Sequence, residues 1–209
     1  AKSPSIVRLM LYPNPLQKLI WIYFGTSMAV MVFQGSNILL FQLLGISVQM
    51  TSWIISYSGL LAVISSFWIR WLISSKQSEQ QMVESSMAVV SVTLLLTGLV
   101  LASDTNEWRI AGILVAHIPL ILGSRALKTT LLGLVTHMTP ASLTGTSIGL
   151  LNSIESLCRA LAPLIGGTLM EMSLPSAPAV VGGAMAAVLL LWVRLWPPSY
   201  VVKSSLDHP

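Results

Sequence analysis

Between Lys18 and Arg70 the chain contains no Asp, Glu, Lys or Arg. A helix needs ~20 mainly apolar residues to cross the hydrocarbon core of a bilayer, so this interval has room for two crossings and a tight turn. The rest of the chain agrees: 54% of its 209 residues are hydrophobic, only 9% are charged, and its mean hydropathy is +0.80. That composition belongs to an integral membrane protein. Two more uncharged intervals, 85–103 and 172–193, are each about one crossing long. Two further apolar stretches, 110–137 and 146–170, are interrupted only by isolated charges.

An all-α, polytopic fold with six transmembrane helices follows, placed at 16–44, 49–72, 85–102, 110–137, 146–170 and 174–196. Residues 1–15, with Pro4, Pro13 and Pro15, form a cytosolic linker, and 197–209 a polar cytosolic tail. The connection SSKQSEQQMVE (74–84) lacks Gly and Pro and permits a short surface helix. No charged-then-apolar leader with a small-residue cleavage site precedes the first span, so that span is expected to be a true helix. The chain does not begin with Met, which suits a piece of a longer protein.

An even number of crossings puts both termini on one side. That side collects Lys2, Arg8, Lys18, Arg70, Lys76, Arg194 and Lys203, whereas the other has Arg109 beside Asp104 and Glu107. Loops rich in Lys and Arg stay cytosolic, so both termini are expected there. The net charge of +4 is this topological signal. No basic run is interleaved with aromatics on a soluble segment, so the expected partner is the lipid bilayer and not nucleic acid. Cys158 is the only cysteine, which rules out an internal disulfide and a thiolate metal cluster; no cofactor or metal is expected, and the thiol is read as a packing residue.

Charges inside the spans carry the functional argument. At about 100° per residue Asn152, Glu155, Arg159, Pro163 and Gly166 fall in a sector of roughly 80°, with Leu151, Ile154, Leu157, Leu161 and Leu164 elsewhere. An ion at mid-bilayer costs several kcal/mol unless it faces protein or water, and such residues usually mark a solute or ion pathway. Glu155 and Arg159 also form an i,i+4 pair in the favourable order, so a self-satisfied pair is the competing reading. In the fourth span His117, Ser124, Arg125 and Lys128 share a sector of roughly 100°. Lys128 either faces a cavity or snorkels to the interface. Arg125 lies deeper and should need a carboxylate, a carbonyl array or water, and Glu155 is the only acid deep inside another span. His117 is either a packing histidine or a proton carrier.

Tyr23, Ser27, Gln34 and Asn37 form one stripe of the first span, with Gly35 placed to loosen the helix. The two amides serve either solute recognition or interhelical hydrogen bonding. Thr51, Ser58 and Ser65 recur every seventh residue and suit packing, leaving Tyr57 as the cavity candidate of the second span. Pro163, Gly166 and Gly167 are expected to bend the fifth span and let backbones approach, with Gly149 at its entry. Gly182, Gly183, Ala186 and Ala187 give the last span two small-xxx-small pairs for packing. Three cations around one carboxylate bias such a cavity positive, favouring an anionic or neutral-polar solute.

The run Gly145-x3-Gly149-x2-Asn152, followed by RALAPLIGG from Arg159 to Gly167, resembles the eleventh helix of the major facilitator superfamily, with its G-x3-G entry and PL-x-GG exit. The resemblance covers 16–196 as the C-terminal six-helix half of a twelve-helix fold, including FQGSN in the seventh helix and the short LGIS turn. It is nearest the proton-coupled, tetracycline-efflux-like branch. It implies a secondary transporter of two six-helix halves that moves a small organic solute by alternating access, with the seventh, eighth, tenth and eleventh helices lining the site. The missing N-terminal half or a second copy would complete it. One departure stands out: IRWLISSKQSEQQ keeps Arg70 but lacks the Gly and Asp of the family's gate-latch pattern.

Two other classes compete. GTSIG at 145–149 matches the G-x-S-x-G pattern of serine hydrolases, but Ser147 lies at a membrane edge and the only later histidine is His208 in the tail, so an enzyme is not expected. The second rival is a non-transporting scaffold or receptor-like half-length protein.

Overall fold

A computed structural model describes residues 15–74, 78–103, 105–172 and 174–195. Their regular structure is entirely helical: α1 (Pro15–Gly35), α2 (Asn37–Leu43), α3 (Val48–Ser74), α4 (Glu79–Leu101), α5 (Asn106–Met138), a 3-10 turn (Ala141–Leu143), α6 (Thr144–Met172) and α7 (Ala177–Leu195). With α1 and α2 counted as one crossing, six segments are long and apolar enough to span a membrane. The all-α, multi-pass architecture is as expected. Most of the linker, the tail from 197, Lys2, Arg8, Lys76, Asp104 and Lys203 lie outside the described residues.

Several helix boundaries differ from those the sequence suggested, the fourth span, for one, beginning at Asn106 rather than 110. The first crossing is divided at Ser36, whose hydroxyl donates to the Val32 and Phe33 carbonyls and so competes with the helix ladder. The third span starts at Glu79 and runs straight through the polar stretch, because Ser78 and Gln81 form a reciprocal capping box. The sixth begins at Ala177 rather than 174, after a turn containing Pro175. Between α2 and α3 the chain reverses at Gly45, at φ +69°, with the Ile46 amide donating to the Phe41 carbonyl at 2.9 Å. A side chain there would strain that left-handed residue, which glycine adopts freely.

Short turns make successive crossings alternate in direction. The turns at 44–47 and 102–105 mark one end of the bundle, and the 139–143 turn marks the other, from which α1 starts and at which α7 ends. α4 packs between α5 and α7, α1 packs on α6 and α7, and α3 packs chiefly on α5. The first crossing is the central one: 67% of its apolar window is buried, against 17% for α3 and for α6. Phe33, Phe41, Leu94, Leu120 and Ala179 fill one core cluster, and Leu19, Met87, Leu127, Leu131 and Val193 fill another nearer the α1 start.

Small residues set the closest approaches, as the sequence suggested for the last span. A Cβ on Gly182 would collide with the Ala29 carbonyl oxygen of α1, and one on Gly183 would come within 2.9 Å of the Leu95 backbone nitrogen. Ser91 seals the α4–α7 seam by donating to the Gly183 carbonyl at 3.1 Å. The outward faces of α3, α4, α6 and α7 are apolar, with Trp53, Phe67, Leu99, Leu164 and Val188 all exposed, as lipid contact requires.

Candidate functional site

α1, α2, α3, α5 and α6 line a cavity of about 410 Å³, open on one side, on the face turned away from α4 and α7. Its charged residues sit near the middle of their helices. Glu155 Oε1 accepts from Lys128 Nζ at 2.9 Å and from Arg159 Nη2 at 2.7 Å, and its Oε2 accepts from the Tyr23 hydroxyl at 3.1 Å. Three helices thus converge on one carboxylate. Their exposures separate the two cations: the Lys128 and Glu155 side chains are 22% and 19% exposed, whereas Arg159 is 65% exposed. The Lys128 bond therefore joins two largely covered groups, while the Arg159 bond is an ordinary i,i+4 surface pair of modest worth.

Lys128 lines the cavity and spends its ammonium on Glu155. Arg125 also lines it, exposed, but Glu155 does not reach it, and no hydrogen bond or ion pair joins Arg125 to any described residue. The carboxylate expected for Arg125 goes instead to the lysine one turn further along α5. Ser124, immediately before Arg125, is buried and donates to the Ile121 carbonyl.

His117 is buried, with Nδ1 donating to the Ile113 carbonyl at 2.7 Å. In a neutral ring that leaves Nε2 as an acceptor, and Asn37 Nδ2 lies 3.4 Å from it. Asn37 Oδ1 is buried without a hydrogen-bond partner among the described residues. Gln34, one turn away on the same wall, lines the cavity, and its amide has no hydrogen-bond partner among the described residues. Asn37 thus combines both sequence readings, since it bonds between helices and also borders the cavity.

Seven of the nine candidate pathway residues border the cavity: Gln34, Asn37, His117, Arg125, Lys128, Glu155 and Arg159. Tyr57 does not. The cavity-facing set on α3 is Ile54, Ile55, Ser58, Gly59 and Ala62, and helix geometry puts Tyr57 about 130° from its centre. Asn152 shares the Glu155 face of α6 but is exposed one turn beyond, on the far side of the Tyr23–Glu155–Lys128 cluster that closes the cavity at that end. Sequence reasoning had placed Tyr23 on the polar stripe without recognising it as a Glu155 partner.

The mechanical residues divide similarly. α6 continues unbroken through Pro163, whose ring lies 3.2 Å from where a Gly35 Cβ would be. Gly166 meets the Val32 carbonyl and Ser36, so α6 and α1 touch backbone to backbone at the α1–α2 break. Gly167 only reaches Leu39, at 4.0 Å, and Gly149 meets nothing within 4 Å, so its expected packing role is not realised. Ser147, centre of the GTSIG run, accepts from the Thr139 hydroxyl at 3.3 Å. Cys158 is fully buried against the Phe24 carbonyl. No group of three or more His, Cys, Asp or Glu that could hold a metal occurs among the described residues. No protein-family model, curated protein or solved structure matches the chain.

Proposed function

We propose that this chain is one six-helix half of a secondary transporter, moving a small organic solute across a membrane by alternating access. The observation that carries this reading is an ion-paired carboxylate at mid-helix depth on the wall of a cavity that the described helices leave open on one side. Lipid is a poor cover for Lys128, Glu155 and Arg125, whereas water or a second bundle satisfies them. A second six-helix bundle, either a preceding half or another copy of this chain, closes the cavity and makes it a central site. The resemblance of α6 to the eleventh major-facilitator helix supports the same arrangement, and so does the agreement between the four lining crossings and the four that line the site in that family.

In this mechanism Glu155 is the charge-compensating group. Its three donors come from α1, α5 and α6, so a change in its protonation alters the bonds linking those helices. That gives protons a means of coupling to rocking. Both termini are cytosolic.

Vesicle flux of the protein expressed from its complete reading frame tests the proposal. Saturable solute flux that Glu155→Gln makes insensitive to an imposed pH gradient supports proton coupling; unchanged flux in that variant across a pH series removes it. Specific solute binding with no flux in any vesicle preparation would favour a scaffold or receptor over a carrier.

A further inference from the structure

Which solute fits depends on the charge left over once Glu155 has been satisfied. Both of its oxygens are occupied, one by two cations and the other by the Tyr23 hydroxyl. Lys128 is thereby neutralised. Arg159 is already committed to Glu155 Oε1 at 2.7 Å. Arg125 remains: a permanently charged guanidinium on the cavity wall with no counter-ion among the described residues.

The two ends of the cavity differ in chemistry. Lys128, Arg125, Glu155 and Arg159 lie toward the end closed by the Tyr23 cluster, while Phe41, Ile38, Ile54 and Ile55 lie toward the end with the 44–47 turn. Along α5 the wall changes from His117 through Ile121 to Arg125 and Lys128, so the charged and apolar zones adjoin. The volume, about 410 Å³, is within the ~300–1,000 Å³ typical of small-molecule sites.

We infer that the cavity takes an amphipathic organic monoanion, its carboxylate or sulfonate held by Arg125 and its apolar body against Phe41, Ile54 and Ile121. A planar guanidinium donates paired N–H bonds to such a head group, and although Arg125 is exposed in this half, the bond gains strength once the solute or a second bundle covers it. An organic cation would meet a wall with three positive charges and one negative. A neutral solute would leave Arg125 unmatched. The inference rests on the transporter reading only for what happens after binding.

Benzenesulfonate and benzyltrimethylammonium carry permanent opposite charges on similar aromatic bodies, and they separate the alternatives. Binding of tritiated benzenesulfonate to the purified full-length protein in detergent is expected to saturate, and to be displaced at least about tenfold better by the unlabelled sulfonate than by the ammonium. Arg125→Gln should weaken sulfonate binding by about tenfold or more, with Arg125→Lys falling between, since it keeps the charge but loses the paired donors. Preference for the ammonium, or equal sulfonate affinity in wild type and Arg125→Gln, overturns the inference. If Arg125→Gln does not purify as a folded species, the wild-type charge comparison and Arg125→Lys still decide. Sulfonate binding without vesicle flux keeps the anion site and sinks the transporter reading. Flux of the ammonium alone does the reverse.

Discussion

Three donors converge on Glu155, and the cost of removing each depends on how much charge it leaves uncovered. Tyr23→Phe deletes a charge-assisted hydrogen bond between helices and should lower the unfolding free energy in detergent by about 1 kcal/mol, above the ~0.6 kcal/mol average for interhelical bonds in membrane bundles. Lys128→Met strips the better-covered cation from a largely buried carboxylate and should cost more, on the order of 3 kcal/mol. Combining it with Glu155→Leu should recover much of that loss, because an apolar pair replaces an orphaned ion. Chemical denaturation of the single and double variants measures the coupling; additive losses would show that Lys128 and Glu155 are energetically independent. The i,i+4 link from Glu155 to Arg159 was legible in the sequence because both ends share one helix. The choice of Lys128 over Arg125 was not, since both occupy the same face of α5 and only the meeting of α5 with α6 decides which reaches the carboxylate. Tyr57 and Asn152 failed for the same reason: periodicity gives a side chain's bearing on its own helix but not where the neighbouring helices end.

Helix packing here depends on where backbones touch, so individual glycines are unequal. Gly182→Val should displace α7 from the Ala29 carbonyl and destabilise the bundle by roughly 1–3 kcal/mol, the range for overpacking. Gly149→Ala, with open space around it, should be neutral or stabilise α6 by up to ~1 kcal/mol through helix propensity. Thermal melts of the two purified variants should therefore move in opposite directions or differ widely; equal losses would contradict the packing. The small-xxx-small pattern in the last span announced Gly182 correctly. The same kind of reading misjudged Gly149, because a glycine pattern does not reveal whether a second backbone lies opposite. At the start of α4 the Ser78–Gln81 box, a serine followed three residues later by glutamine, went unread in the sequence. The polar run to Glu84 obscured how far the helix extends, since a helix continues into water wherever its cap is good.

At the scale of the bundle, hydrophobicity alone determined the number of crossings, because each apolar interval must satisfy its backbone internally. Sidedness is a separate matter and is open to direct measurement. In a Cys158→Ala background, single cysteines at Ile46 and Ser142 occupy turns at opposite ends of the bundle. A membrane-impermeant maleimide applied to intact cells should label the first and spare the second, with the pattern reversed in inside-out vesicles. Labelling of both from one side would refute the six-crossing topology.

The lopsided anchoring of α3 has its own consequence. Every other crossing is clasped by at least two neighbours, whereas α3 is fastened chiefly along one seam with α5. A segment secured on a single side detaches at lower free energy than the body it rests on. α3 is therefore the crossing expected to part first from the rest of the wall beside Phe41, which faster amide exchange along 48–69 than along α1 would register. On the transporter reading proposed above, such a parting would admit solutes dissolved among the acyl chains from the bilayer itself, without first passing through either aqueous compartment.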